Sequence, residues 1–182
     1  LSSLSALVSA GGRVFYIFDE GPTSLLHRPA DWKLIARDAF NGKLLWKRNI
    51  ARWITPLYYF RSGPAWLPRK LVAGRDRVYT TPGLEAPVKA LDAASGETLL
   101  TYPDSAGTEE IIHQGDTLLV VRDDPSEANE RAKDVWGYWH YRQDEPPAKY
   151  RSIAAYDADN GRVLWKTPVE RDSHVVPLSL AA

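Results

Sequence analysis

One short segment concentrates the side chains best suited to recognise a ligand. Residues 135–142 contain four aromatic rings, a histidine and an arginine: Trp136, Tyr138, Trp139, His140, Tyr141 and Arg142. Flat rings beside hydrogen-bond donors suit sugar faces, quinones and peptide side chains. We interpret these six residues as ligand-binding candidates. The sequence leaves open the alternative that the rings pack against a neighbouring part of the fold, including Trp53 and Trp66.

Two other patterns resemble metal sites, and neither predicts one. Glu110 precedes His113 by three residues, a spacing that aligns ligands on a helix; the neighbours are strand-like, and on a strand these positions point to opposite faces. Asp157 and Asp159 resemble the start of a calcium loop, but no glutamate follows at the calcium-loop distance. We therefore expect no metal site. The absence of cysteine also excludes disulfides, thiolate ligands and cysteine nucleophiles, and no residue set suggests catalysis.

A nine-residue unit organises the chain. The stretch at 38–46 returns at 157–165, with a weaker copy at 92–100. Its shared residues are Asp38, Gly42 and Trp46; Asp92 and Gly96; and Asp157, Gly161 and Trp165. Aspartate accepts hydrogen bonds from turn N–H groups and glycine adopts positive φ, which together predict a hairpin. The repeated tryptophan, replaced by Leu100 in the middle copy, predicts packing between units as a structural role.

Each hairpin is preceded by another pair of short apolar runs around a turn, so every unit reads as four antiparallel strands. Such units in tandem predict an all-β protein, a β-propeller with about three blades. The expected boundaries are blade one at 1–47, an aromatic connecting loop at 48–68, blade two at 69–103, blade three at 109–167 with an insertion at 123–149, and the first strand of a next blade at 175–182.

Propellers usually contain about four to eight blades, so we expect a fragment of a larger ring. Its open sheet faces would favour the rest of the propeller or a second copy of the chain as partner. A further insertion is predicted at 21–31, with His27 and Arg28 in it. The connecting loop is rich in rings, and we expect it to cover an edge or face of the ring, or to present some rings to a ligand.

Charge and hydropathy exclude two classes of partner. The 23 basic and 23 acidic residues cancel, whereas a sequence-independent nucleic-acid binder needs a basic surplus. No run of about 18 apolar residues is present, so no membrane span is predicted.

The repeat also carries a family resemblance. Ala36, Asp38, Gly42 and Trp46, matched by Ala155, Asp157, Gly161 and Trp165, resemble the tryptophan-docking repeat of pyrroloquinoline-quinone-type propellers. That repeat class includes quinoprotein dehydrogenases and non-catalytic outer-membrane-assembly lipoproteins. Stretches such as 12–20 and 36–42 are similar to large, mostly uncharacterised bacterial propeller proteins, notably of planctomycetes.

The resemblance implies two possible functions. The first is a non-catalytic binding or scaffolding module for protein, peptide or glycan, without a cofactor, in the periplasm or outside the cell. The alternative is part of a quinoprotein oxidoreductase that holds pyrroloquinoline quinone and calcium. The adjacent-cysteine pair of many such dehydrogenases is missing here, as is an evident set of calcium ligands with a catalytic aspartate. We therefore favour the binding module.

Overall fold

The structure is a computed structural model, and it describes residues 4–22, 30–51, 53, 67–83, 86–122 and 152–169. These residues form twelve β-strands and one short 3-10 helix. The strands make three four-stranded antiparallel sheets. No helix among the described residues has the length and apolar character that crossing a membrane requires. The prediction of an all-β protein with three blades is therefore confirmed.

Each blade follows the chain as a meander. Blade one contains β1 (Leu4–Ala10), β2 (Arg13–Asp19), β3 (Trp32–Asp38) and β4 (Leu44–Asn49). A 3-10 helix, η1 (Leu67–Lys70), leads into blade two, with β5 (Leu71–Ala73), β6 (Arg77–Thr80), β7 (Lys89–Asp92) and β8 (Thr98–Thr101). Blade three contains β9 (Thr108–Gln114), β10 (Thr117–Arg122), β11 (Ser152–Asp157) and β12 (Val163–Pro168).

The three blades share one strand register. Trp46 lies opposite Ala36, Leu100 opposite Ala90, and Trp165 opposite Ala155. Directly before each of these residues, the pairing of the last two strands shifts by one residue. The extra residue is an exposed leucine in every blade, namely Leu45, Leu99 and Leu164. Such a bulge increases the local twist and redirects the following side chain, which for Trp46 and Leu100 points toward the next blade.

The first strands β1, β5 and β9 adjoin one another, so they are the inner strands, and β4, β8 and β12 lie at the rim. Two apolar cores separate the sheets. Phe15, Leu34 and Trp46 of blade one pack with Leu71 and Val78 of blade two, an interface we call the first seam. The second seam joins blades two and three through residues that include Tyr79, Tyr102, Leu118, Val120 and Tyr156.

Trp46 holds the first seam by docking on a turn of blade two. Its ring is 8% exposed, and Nε1 donates a 3.1 Å hydrogen bond to the carbonyl of Ala93. A Cβ atom at Gly96 would lie 2.6 Å from Cδ2 of Trp46, and the φ of Gly96 is +75°. Glycine is thus required at position 96 for two reasons: the backbone has a positive φ, and the indole occupies the space that a side chain would need.

The second seam makes the same connection with different residues. Leu100 stands at the tryptophan position and packs near Gly161, where a Cβ would lie 3.1 Å from its Cδ2. The hydroxyl of Tyr102 donates a 2.6 Å hydrogen bond to the carbonyl of Ala158, the equivalent of Ala93. Arg77 donates to the same carbonyl at 2.8 Å. Leu100 therefore supplies the packing, and Tyr102 and Arg77 supply the hydrogen bonds that the indole provides in the first seam.

Replacing Tyr102 with phenylalanine tests this assignment. We expect Tyr102→Phe to lower the free energy of unfolding by about 1 kcal/mol, because a buried hydrogen bond is lost while Arg77 still satisfies the carbonyl. The measurement is urea denaturation at neutral pH. The control is Tyr16→Phe, whose hydroxyl accepts from Arg37 on the partly exposed side of blade one and whose loss should cost about 0.5 kcal/mol or less. Equal effects of the two substitutions would contradict the docking role of Tyr102.

Candidate functional site

The two ends of the sheets differ in what they carry. One end, the hairpin face, holds the tight turns at 11–12, 39–43, 74–76, 93–97, 115–116 and 158–162. Backbone hydrogen bonds join these turns in pairs: Ala39 N–H donates to Gly12, Ala93 to Asp76 and Ala158 to Asp116 at 2.8–2.9 Å. Within each blade, the two turns of the hairpin face are therefore bonded to each other.

The opposite end, the loop face, is where every long segment leaves the sheets. These segments follow β2 (20–31), β4 (50–66) and β10 (123–151). The six ligand-binding candidates, Trp136, Tyr138, Trp139, His140, Tyr141 and Arg142, lie outside the described residues, as do His27, Arg28, Trp66 and residues 175–182. The described strands thus fix the face on which the candidate segment starts and ends.

The repeated aspartates on the hairpin face are engaged by their own turns. Oδ1 of Asp92 accepts from the N–H groups of Ser95 at 2.7 Å and Ala94 at 2.9 Å. These bonds, that of Ser95 first, lower the pKa of Asp92 because they favour the carboxylate. The pKa of Asp157 is lowered in the same way, chiefly by the N–H of Asp159. Asp38 makes the same pair of bonds.

The second carboxylate of the calcium-like stretch has a partner of its own. Asp159 forms a 3.1 Å ion pair with Arg77 across the second seam. Among the described residues, no group of three or more histidine or carboxylate side chains is arranged to hold a metal ion. The stretch serves as a turn and as part of the seam.

Asp19 clamps the base of the first long segment on the loop face. The side chain is buried, and Oδ1 accepts from the N–H groups of Gly21 and Asp31, each at 2.8 Å. Glu20 N–H also donates to the carbonyl of Asp31 at 2.9 Å. The two ends of the segment are therefore held together at a fixed point above β2 and β3.

Within the described part of the connecting loop, Trp53 packs between blades one and two. Its side chain is 1% exposed and belongs to the core of the first seam. Nearby, Ala51 N–H donates to the carbonyl of Pro82 at 3.0 Å, which ties the loop to blade two. This ring packs between blades and is not presented to a ligand.

A buried ion pair lies near the inner strands on the loop face. Nη1 of Arg69, in η1, is 2.7 Å from Oε1 of Glu110, in β9. The Glu110 side chain is 5% exposed and that of Arg69 is 36% exposed. The pair joins the start of blade two to blade three, and η1 itself also contacts β1 of blade one.

His113, at the other end of β9, faces the second seam. Its ring lies 4.7 Å from that of Tyr79, and Nε2 is 3.4 Å from the Tyr79 hydroxyl. Burial is the main cause that lowers the pKa of His113, and the charge of Arg77 lowers it further. A hydrogen bond with the backbone of Gly115 and the charges of Asp116 and Asp159 raise the pKa, but by less. Glu110 and His113 thus have separate partners.

The structure identifies contributors that the sequence did not single out. Asp19, Arg69 and Arg77 each act on residues 12 or more positions away, and their types alone give no sign of a partner. For Tyr102 a signal does exist. Because position 100 is not a tryptophan, another side chain must bond to the turn of the next blade. Tyr102 lies two residues after Leu100, so along an extended strand it is on the same face.

The Arg69–Glu110 pair should matter more than an exposed pair of the same length. We expect Arg69→Ala to lower the free energy of unfolding by about 1–3 kcal/mol, because it removes the arginine from a buried carboxylate. Lys47→Ala is the control, since Lys47 and Glu20 are 2.6 Å apart but both about a third exposed. That change should cost about 0.5 kcal/mol or less. Similar losses in urea denaturation would contradict a structural role for the inner pair.

His113 should make stability depend on pH. Its folded-state pKa lies below the ordinary value of 6.5, so the unfolded chain takes up the proton first as pH falls. The stabilisation is complete above pH 6.5 and decreases as pH falls toward the folded pKa. We expect urea midpoints to drop between about pH 7.5 and about pH 5.5, and to drop less in His113→Leu. An unchanged drop in the variant would contradict the prediction.

Comparisons with known proteins agree with the architecture. The family model described as outer membrane protein assembly factor BamB matches residues 30–165, more than half of the chain. No curated protein matches the sequence significantly.

Solved structures share the fold at low identity. BamB from Moraxella catarrhalis is 11% identical with a TM-score of 0.53, and the match covers 90% of this chain and 34% of that one. Pyrococcus horikoshii acylaminoacyl peptidase is 12% identical with a TM-score of 0.56, covering 92% and 25%. Quinohemoprotein alcohol dehydrogenase ADHIIG from Pseudomonas putida HK5 is 12% identical with a TM-score of 0.51, covering 93% and 21%.

The chain spans about a third or less of the length of these three proteins. At such identity the structural likeness shows the fold alone, and the functions of the three proteins differ. The family match runs from before β3 of blade one to Trp165 in β12 of blade three, and it includes the three copies of the nine-residue unit with both repeated tryptophans. The chain therefore belongs to the BamB family of pyrroloquinoline-quinone-like propeller repeat proteins.

Proposed function

We propose that this propeller is a non-catalytic binding and scaffolding module that recognises a protein, a peptide or a glycan on its loop face. The observation that carries the proposal is the division of roles between the two faces. The repeated Asp, Gly and Trp residues lie toward the hairpin face and are used for turns and seams. The long segments all depart from the loop face.

The base of the loop face is built to hold those segments in place. Asp19 joins the two ends of the first segment. Trp53 anchors the second in the first seam. The ion pair of Arg69 and Glu110 fixes the return of that segment into blade two. A rigid scaffold under long connections is the usual arrangement of binding loops.

The side chains of the third segment, which follows β10, support a protein, peptide or glycan as the ligand. Trp136, Tyr138, Trp139 and Tyr141 offer flat apolar faces, and His140 and Arg142 offer donors, a mixture enriched where proteins recognise peptides and sugars. The family is described as an outer membrane protein assembly factor, which supports a protein partner and an exported, periplasmic or extracellular location.

A quinoprotein oxidoreductase is the alternative, because a quinohemoprotein alcohol dehydrogenase shares the fold. The described residues do not fit a site for pyrroloquinoline quinone with calcium. Asp92 and Asp157 direct their carboxylates to backbone N–H groups, and the described residues bring together no set of metal ligands. We derive no reaction for this chain through that group.

The double variant Trp136→Ala with Trp139→Ala tests the binding module. We expect it to abolish binding to the peptides or glycans that the wild type selects from peptide and glycan arrays, with a melting temperature unchanged within about 2 °C. Leu99→Ala, an exposed leucine on the rim of blade two, is the control and should bind normally. A large loss of thermal stability in the double variant would show instead that the rings pack within the fold.

The alternative function has its own readout. A quinone site predicts that pyrroloquinoline quinone quenches tryptophan fluorescence at micromolar concentration and that the quenching requires calcium. Calcium-dependent quenching would favour the oxidoreductase function. The absence of quenching would contradict that function for this chain.

A further inference from the structure

Several polar atoms at the loop face are buried without a hydrogen-bond partner. Within the described part of the chain, they include Oγ of Ser5, Nε1 of Trp53, Oγ1 of Thr81 and Nε of Arg122. Ser5 lies near the start of β1, Trp53 follows β4, Thr81 follows β6 and Arg122 ends β10, so all four lie at the loop ends of their blades. A buried polar group without a partner is uncommon in a folded protein and calls for a physical reason.

Thr81 and Arg122 lie at the same end of the second seam, one from each of its two blades. Arg122 follows Val120 by two positions in β10, and Val120 belongs to the core of this seam. Since side chains alternate along a strand, Arg122 lies on the face of blade three that packs on blade two. Thr81 is fully buried and stands two residues after Tyr79, which belongs to the same core.

The charge of Arg122 acts on this seam. Burial raises the pKa of Tyr156, the guanidinium of Arg122 lowers it, and the carboxylate of Asp104 raises it again. The Tyr156 hydroxyl donates a 2.9 Å hydrogen bond to the carbonyl of Pro103. Arg122 and Asp104 are therefore both close to that hydroxyl, at the loop end of the seam.

Arg122 differs from the arginines that hold the blades together. Arg48, Arg69 and Arg77 each bind a carbonyl or a carboxylate of another blade. Arg122 makes no hydrogen bond and no ion pair with any residue that the structure describes, Asp104 included. Its side chain is partly exposed, so a ligand on the loop face can reach the guanidinium.

We propose that Arg122 anchors a carboxylate of the ligand, and that this carboxylate belongs to an aspartate or glutamate of a bound peptide. The inference rests on the function proposed above, in which the loop face recognises a ligand, and it names the chemistry of that ligand. A guanidinium presents its N–H groups in a planar fork that matches the two oxygens of a carboxylate. The ligand thus supplies acceptors to donors that have none in the described structure.

The surroundings of Arg122 favour an acidic peptide over an acidic sugar. The hydroxyls of Tyr156, Ser105 and Thr108 already donate to backbone carbonyls at 2.6–2.9 Å. A sugar acid would bring several hydroxyl groups that each need a partner, because a polar group buried without one is costly. An acidic side chain of a peptide brings one carboxylate on an apolar stem.

Peptide arrays test the anchor when each bound peptide is printed again with its acidic residues replaced, one at a time, by the amide. For at least one such residue, we expect the acid to bind at least about tenfold more tightly, because hydrogen bonds to charged groups contribute more than neutral ones. Arg122→Gln should remove this preference. Arg122→Lys should keep part of it, since the charge remains without the fork.

Lys89→Gln is the matched control. Lys89 begins β7, so this change also removes a positive charge from the loop end of a blade, and it should leave the preference unchanged. A glycan array with uronic acids beside neutral sugars is probed in parallel. Circular dichroism of each variant verifies that the blades fold.

An NMR titration reads the anchor independently of peptide binding. The Nε–H signal of Arg122, assigned by its loss in Arg122→Lys, should shift as acetate is added at constant ionic strength. Acetamide, the neutral counterpart, should leave the signal in place. Lys89→Gln should respond to acetate like the wild type.

Each named result decides between the two proposals. A preference for the acid that disappears in Arg122→Gln, together with the acetate shift, supports the anchor. Equal binding of acid and amide peptides without an acetate shift overturns the anchor and leaves the binding module standing, and so does a preference that persists in Arg122→Gln. Selective binding of uronic acids overturns the peptide as ligand. An acetate shift with no peptide or glycan bound overturns the binding module and leaves an anion site.

Discussion

The structure depends on one contact between blades, in which an apolar side chain from a rim strand lies on a glycine in a turn of the next blade. In the first seam, Trp46 fills the space above Gly96 and bonds to Ala93. Each sheet has an apolar face that a single blade cannot cover, so burial is complete only when blades stack. The turn glycine and the docking residue are therefore two halves of one interaction, separated along the chain but fixed in register.

The two seams satisfy this constraint with different chemistry, and they therefore differ in the titratable groups that they bury. Among the described residues, the core of the first seam is apolar, and the indole N–H of Trp46 and the guanidinium of Arg48 make hydrogen bonds across it. The second joins tyrosine rings, with Tyr102 and Tyr156 5.5 Å apart, to His113. Burial raises the pKa of Tyr102, as it lowers that of His113, because the neutral form of each suits the interior. Tyr102 and His113, whose pKa values burial shifts in opposite directions, thus both lie between blades two and three.

The sequence predicted the parts of the fold that depend on local chemistry. Asp, Gly and alternating apolar residues determine a hairpin within about ten positions, so the blades and the docking role of Trp46 were readable from the repeat alone. The bulge at Leu45, Leu99 and Leu164 could not be predicted, because a one-residue shift in strand pairing does not require a particular residue type. Nor could the contacts of Arg69 or Asp19 be predicted, since each joins segments separated by a loop. For the ligand-binding candidates, the sequence remains the source of the prediction, and the structure adds the face from which their segment departs.

This arrangement explains how one repeat class can serve many functions. Because the turns, the docking residues and their hydrogen bonds occupy the hairpin face and the seams, the long segments can vary outside anchoring residues such as Trp53 without changing those docking contacts. The middle blade shows that even the docking position tolerates change, provided that the carbonyl of the next turn is bonded, as Ala158 is by Tyr102 and Arg77. What the seam requires is therefore the bond and the packing, not the tryptophan itself. It follows that function in this protein must be sought in the residues that the seams do not use.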